Sequence, residues 1–577
     1  MRDCEKKQAP VVVGIDLGTT MSLAAHYDNG KVIFIKNDLG ETLTPSVVAY
    51  DSRSKGLVVG RTAKEIWVVN PELGVASFKS WMGREKEFSL AKKSLGPIEL
   101  SAYVLDRLKR DIDGYFEQPV DRCVITVPAY FSESQRQATK QAAEMAGFLV
   151  ERILNEPTAA AIAYGLHQQD EEKHFVVLDL GGGTFDVCVM ELFEGLLEVK
   201  GVSGVSQLGG EDFTAALYDH VLRRADINPS QLNEIQKIRL YRRAEMLKRS
   251  LTQWERSDIQ VPTGVGEENR RVEYTRQDAE RAFKPLLEQM IGPCRSALQG
   301  ARLKTKDLTD VILVGGATRM PCIKRFAEEV FGLTPKCHEH PDHVVATGAA
   351  IQGAFCARDT AVEELVVTDV CSHTLGIAII RTINGRSFPG YFSPIIERNT
   401  VIPTTQSSVF TTTVCDQPSI LVEVFEGESR KTEENLKLGE FEVFGIPPGD
   451  PREAVEVRFT FDVNGILEVE VTVLETKKKH TKIFQRGNKI LDGRALERAR
   501  DKLRRLKADP KERPMHRDLL ARAEALWAEI SGWDRENFNR GIDVFEAALH
   551  SRDAKEIAKA YENLVILCEQ YDRGDRW

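Results

Sequence analysis

The sequence predicts a multidomain chain: an α/β half that carries the chemistry, an antiparallel β domain after it, and a helical end. Three observations carry this. Up to about Arg358, apolar runs such as VVVGI, RCVITVP, HFVVLDL and DVILVGG alternate with helical stretches such as SESQRQATKQAAEMAG. From Thr374 to about Gln485 short alternating strands take over, and after Gly493 the pattern is helical to near Gln570. At 577 residues and 42% hydrophobic composition, the chain is too long for one core and too apolar for disorder.

Each part has its own signature. In VEVRFTF, Val455, Val457, Phe459 and Phe461 share one face, and Asn464-Gly465 supplies a hairpin turn into ILEVEVTV. In the helical end Leu496, Ala499, Leu503 and Leu506 recur at helical spacing, with a break at Pro510 and Pro514. Between the first two parts VEELVVTDV, residues 362 to 370, lacks the Gly and Ser of a flexible tether. It reads equally as a connecting segment or as an ordinary strand of either neighbour.

Charge and cysteine usage exclude several classes. Lys and Arg total 78 against 87 Asp and Glu, a net charge of -9, so no global field attracts nucleic acid. The basic stretch at Lys477 and the arginines between Arg494 and Arg522 alternate with acids, as on a solvated helical face. Ten cysteines are scattered without a C-x-x-C pair, which fits a reducing compartment. The polar start MRDCEKKQAP and the brief VVV run do not make a signal-peptide core, and no stretch approaches membrane-spanning length. A cytoplasmic protein with no membrane partner is the expectation. In HEHPDH, Asp342 occupies the last position of an H-E-x-x-H pattern, so His338, His340 and His343 are not read as a metal set.

The chemical signal is a repeat. VVVGIDLGTTMSLAA from Val11 and HFVVLDLGGGTFDVCVM from His174 each read strand, Asp-Leu-Gly, tight turn, strand. An apolar strand that ends on a carboxylate, followed by glycines and threonines, lets turn amides and hydroxyls approach a polyphosphate while the Asp faces its metal ion. Two such hairpins can grip one nucleotide from both sides. A single D-x-G-x-T is as often a plain connection; the second copy makes that reading unattractive. No G-x-x-x-x-G-K-[ST] occurs, the nearest string at Gly56 having the wrong spacing. A third element, ILVGGATRMP, places Gly315 and Gly316 where a flat base or ribose could lie against backbone.

GIDLGTT, VITVPAYF, NEPTAAAIAYG, DLGGGTFDV, LGGEDF, VGGATRMP and PDHVVATGAA together resemble the DnaK-type seventy-kilodalton heat-shock chaperones, collinearly over almost the whole chain. The short helical end and lack of an acidic tail look most like the specialised bacterial HscC branch. The resemblance implies an actin-like ATPase domain of duplicated ribonuclease-H-like subdomains over 1–361, a linker over 362–372, a β-sandwich peptide-binding domain over 373–487 and a helical lid over 488–577.

It further implies ATP hydrolysis to ADP, with Mg²⁺ and K⁺ as ions. Asp16, Glu156 and Asp179 would arrange the water shell of the Mg²⁺, and Asp186 would help hold the monovalent cation, so that Asp16, Asp179 and Asp186 act on metal mainly through water. Lys79 would position the attacking water and Thr184 would sit near the γ-phosphate. Gly18, Thr19, Thr20, Met21, Gly181, Gly182 and Gly183 would line the phosphates, with Gly209, Gly210 and Glu211 close by. Glu245, Lys248, Arg249, Thr252, Gly315, Gly316, Ala317, Arg319 and Asp342 would hold the adenosine. Without the resemblance, Lys79 is a solvated lysine and Glu245 with Arg249 an i,i+4 pair.

For the β domain, the matching groove positions are Ile377, Ile380, Phe410, Thr413, Ile420 and Val422; as an orphan pattern they would be core. Ile380 and Thr413 stand where relatives carry Met and Ala. Coupling would run through Pro128, Arg136 and Arg152 to Asp369, with Arg152 as the partner of Asp369. Thr368 and His373 depart from the leucines of relatives, which bears on docking strength. Expected partners are unfolded or specific client polypeptides, a J-domain co-chaperone and a nucleotide-exchange factor. Two other readings use the same ATPase fold: a small-molecule kinase and an ATP-dependent filament protein.

Overall fold

A computed structural model describes residues 11–90, 93–164, 172–193, 196–263, 269–338, 340–357, 366–383, 386–412, 416–447, 454–461, 467–484, 514–529, 533–551 and 554–572. The first sheet contains β1 (Val12–Leu17), β2 (Met21–Asp28), β3 (Lys31–Phe34), β4 (Arg122–Val127) and β5 (Leu149–Asn155), in the order β5-β4-β1-β2-β3. β1, β2 and β3 form an antiparallel meander, and β4 joins β1 in parallel.

The second sheet repeats this plan. β6 (Lys173–Leu180), β7 (Phe185–Phe193) and β8 (Leu196–Val205) are the meander, and β9 (Asp310–Val314) is the parallel neighbour of β6. The duplicated Asp-Leu-Gly hairpins thus occupy equivalent places in two sheets. β1, β4, β6 and β9 are buried on both faces, which is why they read as continuous apolar runs rather than as alternation.

Helices pack over these sheets: α1 (Arg61–Val69), α2 (Glu133–Met145), α3 (Glu156–Ala163), α4 (Glu234–Gln253), α5 (Arg276–Ala301) and α6 (Val344–Cys356) among them. α4 starts where the sequence says it should: Gln236 N donates to the Asn233 side chain at 2.8 Å, and Asn233 N donates back to Gln236 Oε1 at 3.0 Å. α6 crosses α3 with Gly348 against the backbone of Ala159, and Gly14 of β1 lies against Ala349 and Ala350. A Cβ at either glycine would collide with main chain.

β10 (Lys336–Cys337) closes one edge of the second sheet, and β11 (Val366–Val370) extends the other. β11 runs parallel to β8, from Leu196↔Val366 to Glu198↔Thr368, and antiparallel to the two-residue strand Val401–Ile402. The second half of VEELVVTDV is therefore a strand, and residues 362–365 lie outside the described residues. At the same junction Val202 N donates to Asn399 Oδ1 at 2.9 Å, and Asn399 lies over Gly300 at the end of α5.

Two four-stranded antiparallel sheets follow. One is built from β12 (Leu375–Ile383), β13 (Arg386–Ile396), β15 and β16; the other from β14 (Thr404–Thr411), β17 (Ala454–Phe461), β18 (Leu467–Val473) and β19 (Lys479–Phe484), β15 being Ser419–Glu426 and β16 Leu436–Phe444. They share one core, to which Val455, Val457, Phe459 and Phe461 contribute from one sheet and Ile377, Val422 and Val443 from the other. The Asn464-Gly465 turn lies outside the described residues, as do Leu496, Ala499, Leu503 and Leu506. Helices α7 (Pro514–Glu529), α8 (Trp533–Ser551) and α9 (Ala554–Asp572) share a core of Leu520, Phe538, Phe545 and Leu564. α7 lies against α1, and Glu524 ion-pairs with Arg53. Among the described residues no helix is long and apolar enough to cross a membrane.

Candidate functional site

The two Asp-Leu-Gly hairpins face each other. A Cβ at Gly182 would strike the Thr20 hydroxyl and one at Gly183 would lie 2.9 Å from Thr19 Cγ2, so the threonines of the first turn reach the second only because it carries glycine at both positions. The turn after β1 is held by Gly18 N donating to Ser22 Oγ (3.1 Å) and Ser46 Oγ donating to Gly18 O (2.7 Å). The turn after β6 is held by Gly181 N donating to Thr184 O at 3.1 Å. Gly209 packs on Gly182 and Gly183, and the amides of Gly210 and Glu211 donate to the carbonyls of Gly181 and Gly182. Met21 opens β2, opposite Pro45.

Carboxylates gather beneath these turns. Asp16 is the penultimate residue of β1, Asp179 and Asp186 face each other across the β6–β7 hairpin, and Glu156 is the first residue of α3. Lys79, in a 3₁₀ turn over Phe78–Trp81, is 3% exposed and donates to Glu156 Oε1 at 2.8 Å, with its ammonium 5.6 Å from the centroid of Phe131. Burial, then the charge of Glu156, pushes Asp16 up to about 7 and Asp186 likewise to about 7, and raises Asp179 well above the usual carboxylate range. Thr126 Oγ1 donates to Asp16 at 3.2 Å and Tyr130 N to Asp186 Oδ1 at 2.9 Å. Within the described residues, only Lys79 ion-pairs with any of the four carboxylates.

This donor set suits a hydrated cation beside phosphate. Four carboxylates share one ammonium, and the Thr20 hydroxyl is buried with no partner among the described residues, ready to donate to an anionic oxygen. Among the described residues no three His, Cys, Asp or Glu side chains converge tightly enough to ligate an ion directly. Water between ion and carboxylate, the habit of magnesium, matches that spacing.

A second cluster lies across Gly210. Lys248 Nζ donates to Gly210 O (2.5 Å) and Thr214 Oγ1 (2.8 Å); burial pulls it down to about 8, against the opposing charge of Glu245. Glu245 pairs with Arg249 at 2.5 Å, and although burial pushes it up, Arg249, Lys64 and Lys248 hold it below the usual range. Gly315, at φ 86°, abuts the Leu180 carbonyl and Asp179; Gly316 abuts Asp342, which pairs with Arg319 at 3.0 Å; Ala317 Cβ touches Gly210. Thr252 Oγ1 is spent on the Lys248 carbonyl at 2.9 Å. Lys64 of α1 acts through space on Glu245 in this cluster, and Ser77 Oγ, just before the 3₁₀ turn that carries Lys79, donates to Glu211 at 2.6 Å.

Asp369 in β11 receives a hydrogen bond from Asn155 Nδ2, and Asn155 Oδ1 accepts from Arg136 at 2.6 Å. The partner expected for Asp369 was Arg152, which acts on it only through space, behind Arg136. Burial raises Asp369, and Arg136 opposes that rise. Pro128 O accepts from Phe131 N at 3.1 Å, starting the turn that carries Tyr130 and Phe131. Ser372 Oγ donates to Phe131 O at 3.2 Å, and the His373 ring lies 4.5 Å from that of Tyr130.

The groove positions divide. Ile377 and Val422 are in the shared β core, Phe410 and Ile420 are partly buried against it, Ile380 is exposed, and Thr413 lies outside the described residues. Sequence reasoning missed Ser77, Thr126, Phe131 and Asn155. Asn155 and Thr126 sit inside the quoted NEPTAAAIAYG and VITVPAYF; nothing marked Ser77.

Paired glycine hairpins meeting over buried carboxylates define a class of α/β protein with two sheets of the same plan and a donor set that suits a phosphate-bearing ligand. A model of the Hsp70 protein family matches residues 12–573, and the chain belongs to that family. In general terms it is thus an ATP-dependent chaperone with ATPase activity, of a family that binds nucleotide with magnesium, client polypeptides and J-domain co-chaperones.

Proposed function

We propose that this chain couples ATP turnover in the carboxylate cleft to the grip of the two β-sheets on extended hydrophobic segments of client proteins. The observation that carries the coupling is the Asp369–Asn155 hydrogen bond, because Asn155 directly precedes Glu156, the partner of Lys79. A shift of β11 therefore acts on the residue next to the catalytic pair. In this reading the sheets of 373–487 form the peptide-binding sandwich, 362–372 the linker and α7–α9 a short lid over a chain of the HscC branch acting in the cytoplasm.

Asp16, Asp179 and Glu156 would hold a magnesium ion through water, and that ion would supply charge neutralisation on the phosphates; Asp186 would help hold potassium. Thr19 and Thr20 donate to phosphate oxygens, Thr184 stands by the γ-phosphate, and Lys79 orients the attacking water and offsets negative charge in the transition state. Glu245, Lys248, Arg249, Gly316, Arg319 and Asp342 hold the nucleoside. A J-domain protein and an exchange factor would act on this cycle. No feature of the described residues favours the kinase or filament reading.

Single-turnover ATP hydrolysis with and without an extended hydrophobic peptide tests the coupling. Peptide is expected to raise the rate, and a rate indifferent to saturating peptide refutes it. A second expectation concerns Lys248. Its ammonium is charged below about 8 and neutral above, so nucleotide affinity should fall as pH rises through that value, by about tenfold for one charge-assisted contact. Fluorescent-nucleotide titrations across pH check this; Lys248→Met should remove the dependence, and an unchanged dependence in that variant would rule Lys248 out.

A further inference from the structure

Between the first half and the β-sheets lies a cleft of about 990 Å³ whose lining includes none of the four buried carboxylates. One wall is made by Lys200 of β8 and by the end of α5 with Arg302; the other by Arg381, Tyr391, Arg398 and Arg430 of the β region. It is joined at its rim by the Val202–Asn399 hydrogen bond. This volume suits a compact ligand in contact with both walls.

The charges around Tyr391 are unusual. Arg381 and Arg430 place their guanidinium carbons 5.7 and 5.3 Å from the ring centroid, and Lys431 its ammonium at 3.7 Å. An aromatic ring has two faces, so it cannot offset three cations equally. None of the three ion-pairs with a carboxylate among the described residues. Two carboxylates of the cleft are already engaged within its walls: Glu198 with Lys200, and Glu428 with Thr374 and Arg398. Glu397 and the negative end of α5 oppose an anion, but Arg302 stands directly after that helix end, exposed and with no ion pair among the described residues.

We propose that this cleft binds a compact multivalent oxyanion of the pyrophosphate or tripolyphosphate class, bridging Arg381 and Arg430 on one wall to Arg302 on the other. Guanidinium groups match such oxygens in pairs. The net charge of -9 disfavours an extended polyanion such as nucleic acid, whereas a small one meets only the local cations. An anion that touches both walls favours the arrangement in which β11 is paired with β8.

The test is calorimetric titration of sodium tripolyphosphate into the full chain already saturated with ADP, whose own binding is measured separately. A chain that fails to bind ADP refutes the nucleotide reading above without touching this one. The expected result is saturable one-to-one binding, weakened at least tenfold in Arg381→Ala/Arg430→Ala and in Arg302→Ala, unchanged in Lys79→Ala, and weaker at higher salt. The double variant should keep its unstimulated hydrolysis rate, which reports that it is folded. No binding to the ADP-saturated chain overturns the proposal, as does binding indifferent to the double variant. Binding sensitive to the double variant but not to Arg302→Ala overturns the bridge, and tighter binding of an acidic decapeptide at the same arginines overturns the choice of ligand.

Discussion

Replacing Lys79 with alanine is expected to lower single-turnover ATP hydrolysis about 10²–10³-fold, the range seen when one preorganised charge is removed from a transition state. The side chain is 3% exposed, so its ammonium acts where water does not screen it. Its loss also leaves Glu156 beside three further buried carboxylates without an ion-pair partner. Breaking a buried pair costs about 3–5 kcal/mol when the remaining charge stays. Stability should therefore drop too, and Lys79→Ala/Glu156→Gln should recover most of the stability but not the rate. Parallel measurement of thermal unfolding and hydrolysis separates the two effects. A double variant that regains the rate, or a single variant that hydrolyses ATP normally, would show that Lys79 is only structural.

Gly348→Val should be the most damaging substitution away from the cleft. A Cβ at Gly348 meets the main chain of Ala159, and neither α3 nor α6 can yield without moving Glu156 or Gly14. Overpacking costs about 1–3 kcal/mol where side chains can shift, and main chain shifts less readily, so the upper end applies. At about 2.1 cal/mol/K per residue, that corresponds to a fall of roughly 4 °C in the first unfolding transition for a unit of about 360 residues. Gly332→Ala, where a Cβ would meet nothing but the left-handed backbone at φ 72° is disfavoured, should cost only about 1 kcal/mol. Equal losses in differential scanning calorimetry would argue against the crossing as the cause.

The contrast between what was and was not legible in the sequence follows from range. The hairpin repeat could be read because each copy is local: strand, carboxylate, turn and strand lie within some twenty residues. The face shared by Val455, Val457, Phe459 and Phe461 is local too, and all four are buried. The environment of Lys79 was invisible, since its partner Glu156 and the ring of Phe131 lie 77 and more than 50 positions away. The same holds for Asp369, whose partner Asn155 is 214 positions distant, and here the expected partner Arg152 was three residues off. Sequence patterns place a residue on an element; tertiary packing decides which of two neighbouring polar groups it meets.

The pairing of β11 with β8 shifts the weight of docking from side chains to main chain. Amide and carbonyl groups are blind to residue identity, so Thr368 in place of a leucine leaves the ladder itself intact. The same feature creates an obligation. Were β11 to depart in the proposed cycle, β8 would become an open edge whose amides and carbonyls, flanked by the buried Leu197 and Val199, offer a template to any other extended chain. Under the proposed function, a protein that grips extended segments of others would then display one of its own, which gives a reason for such a departure to be brief.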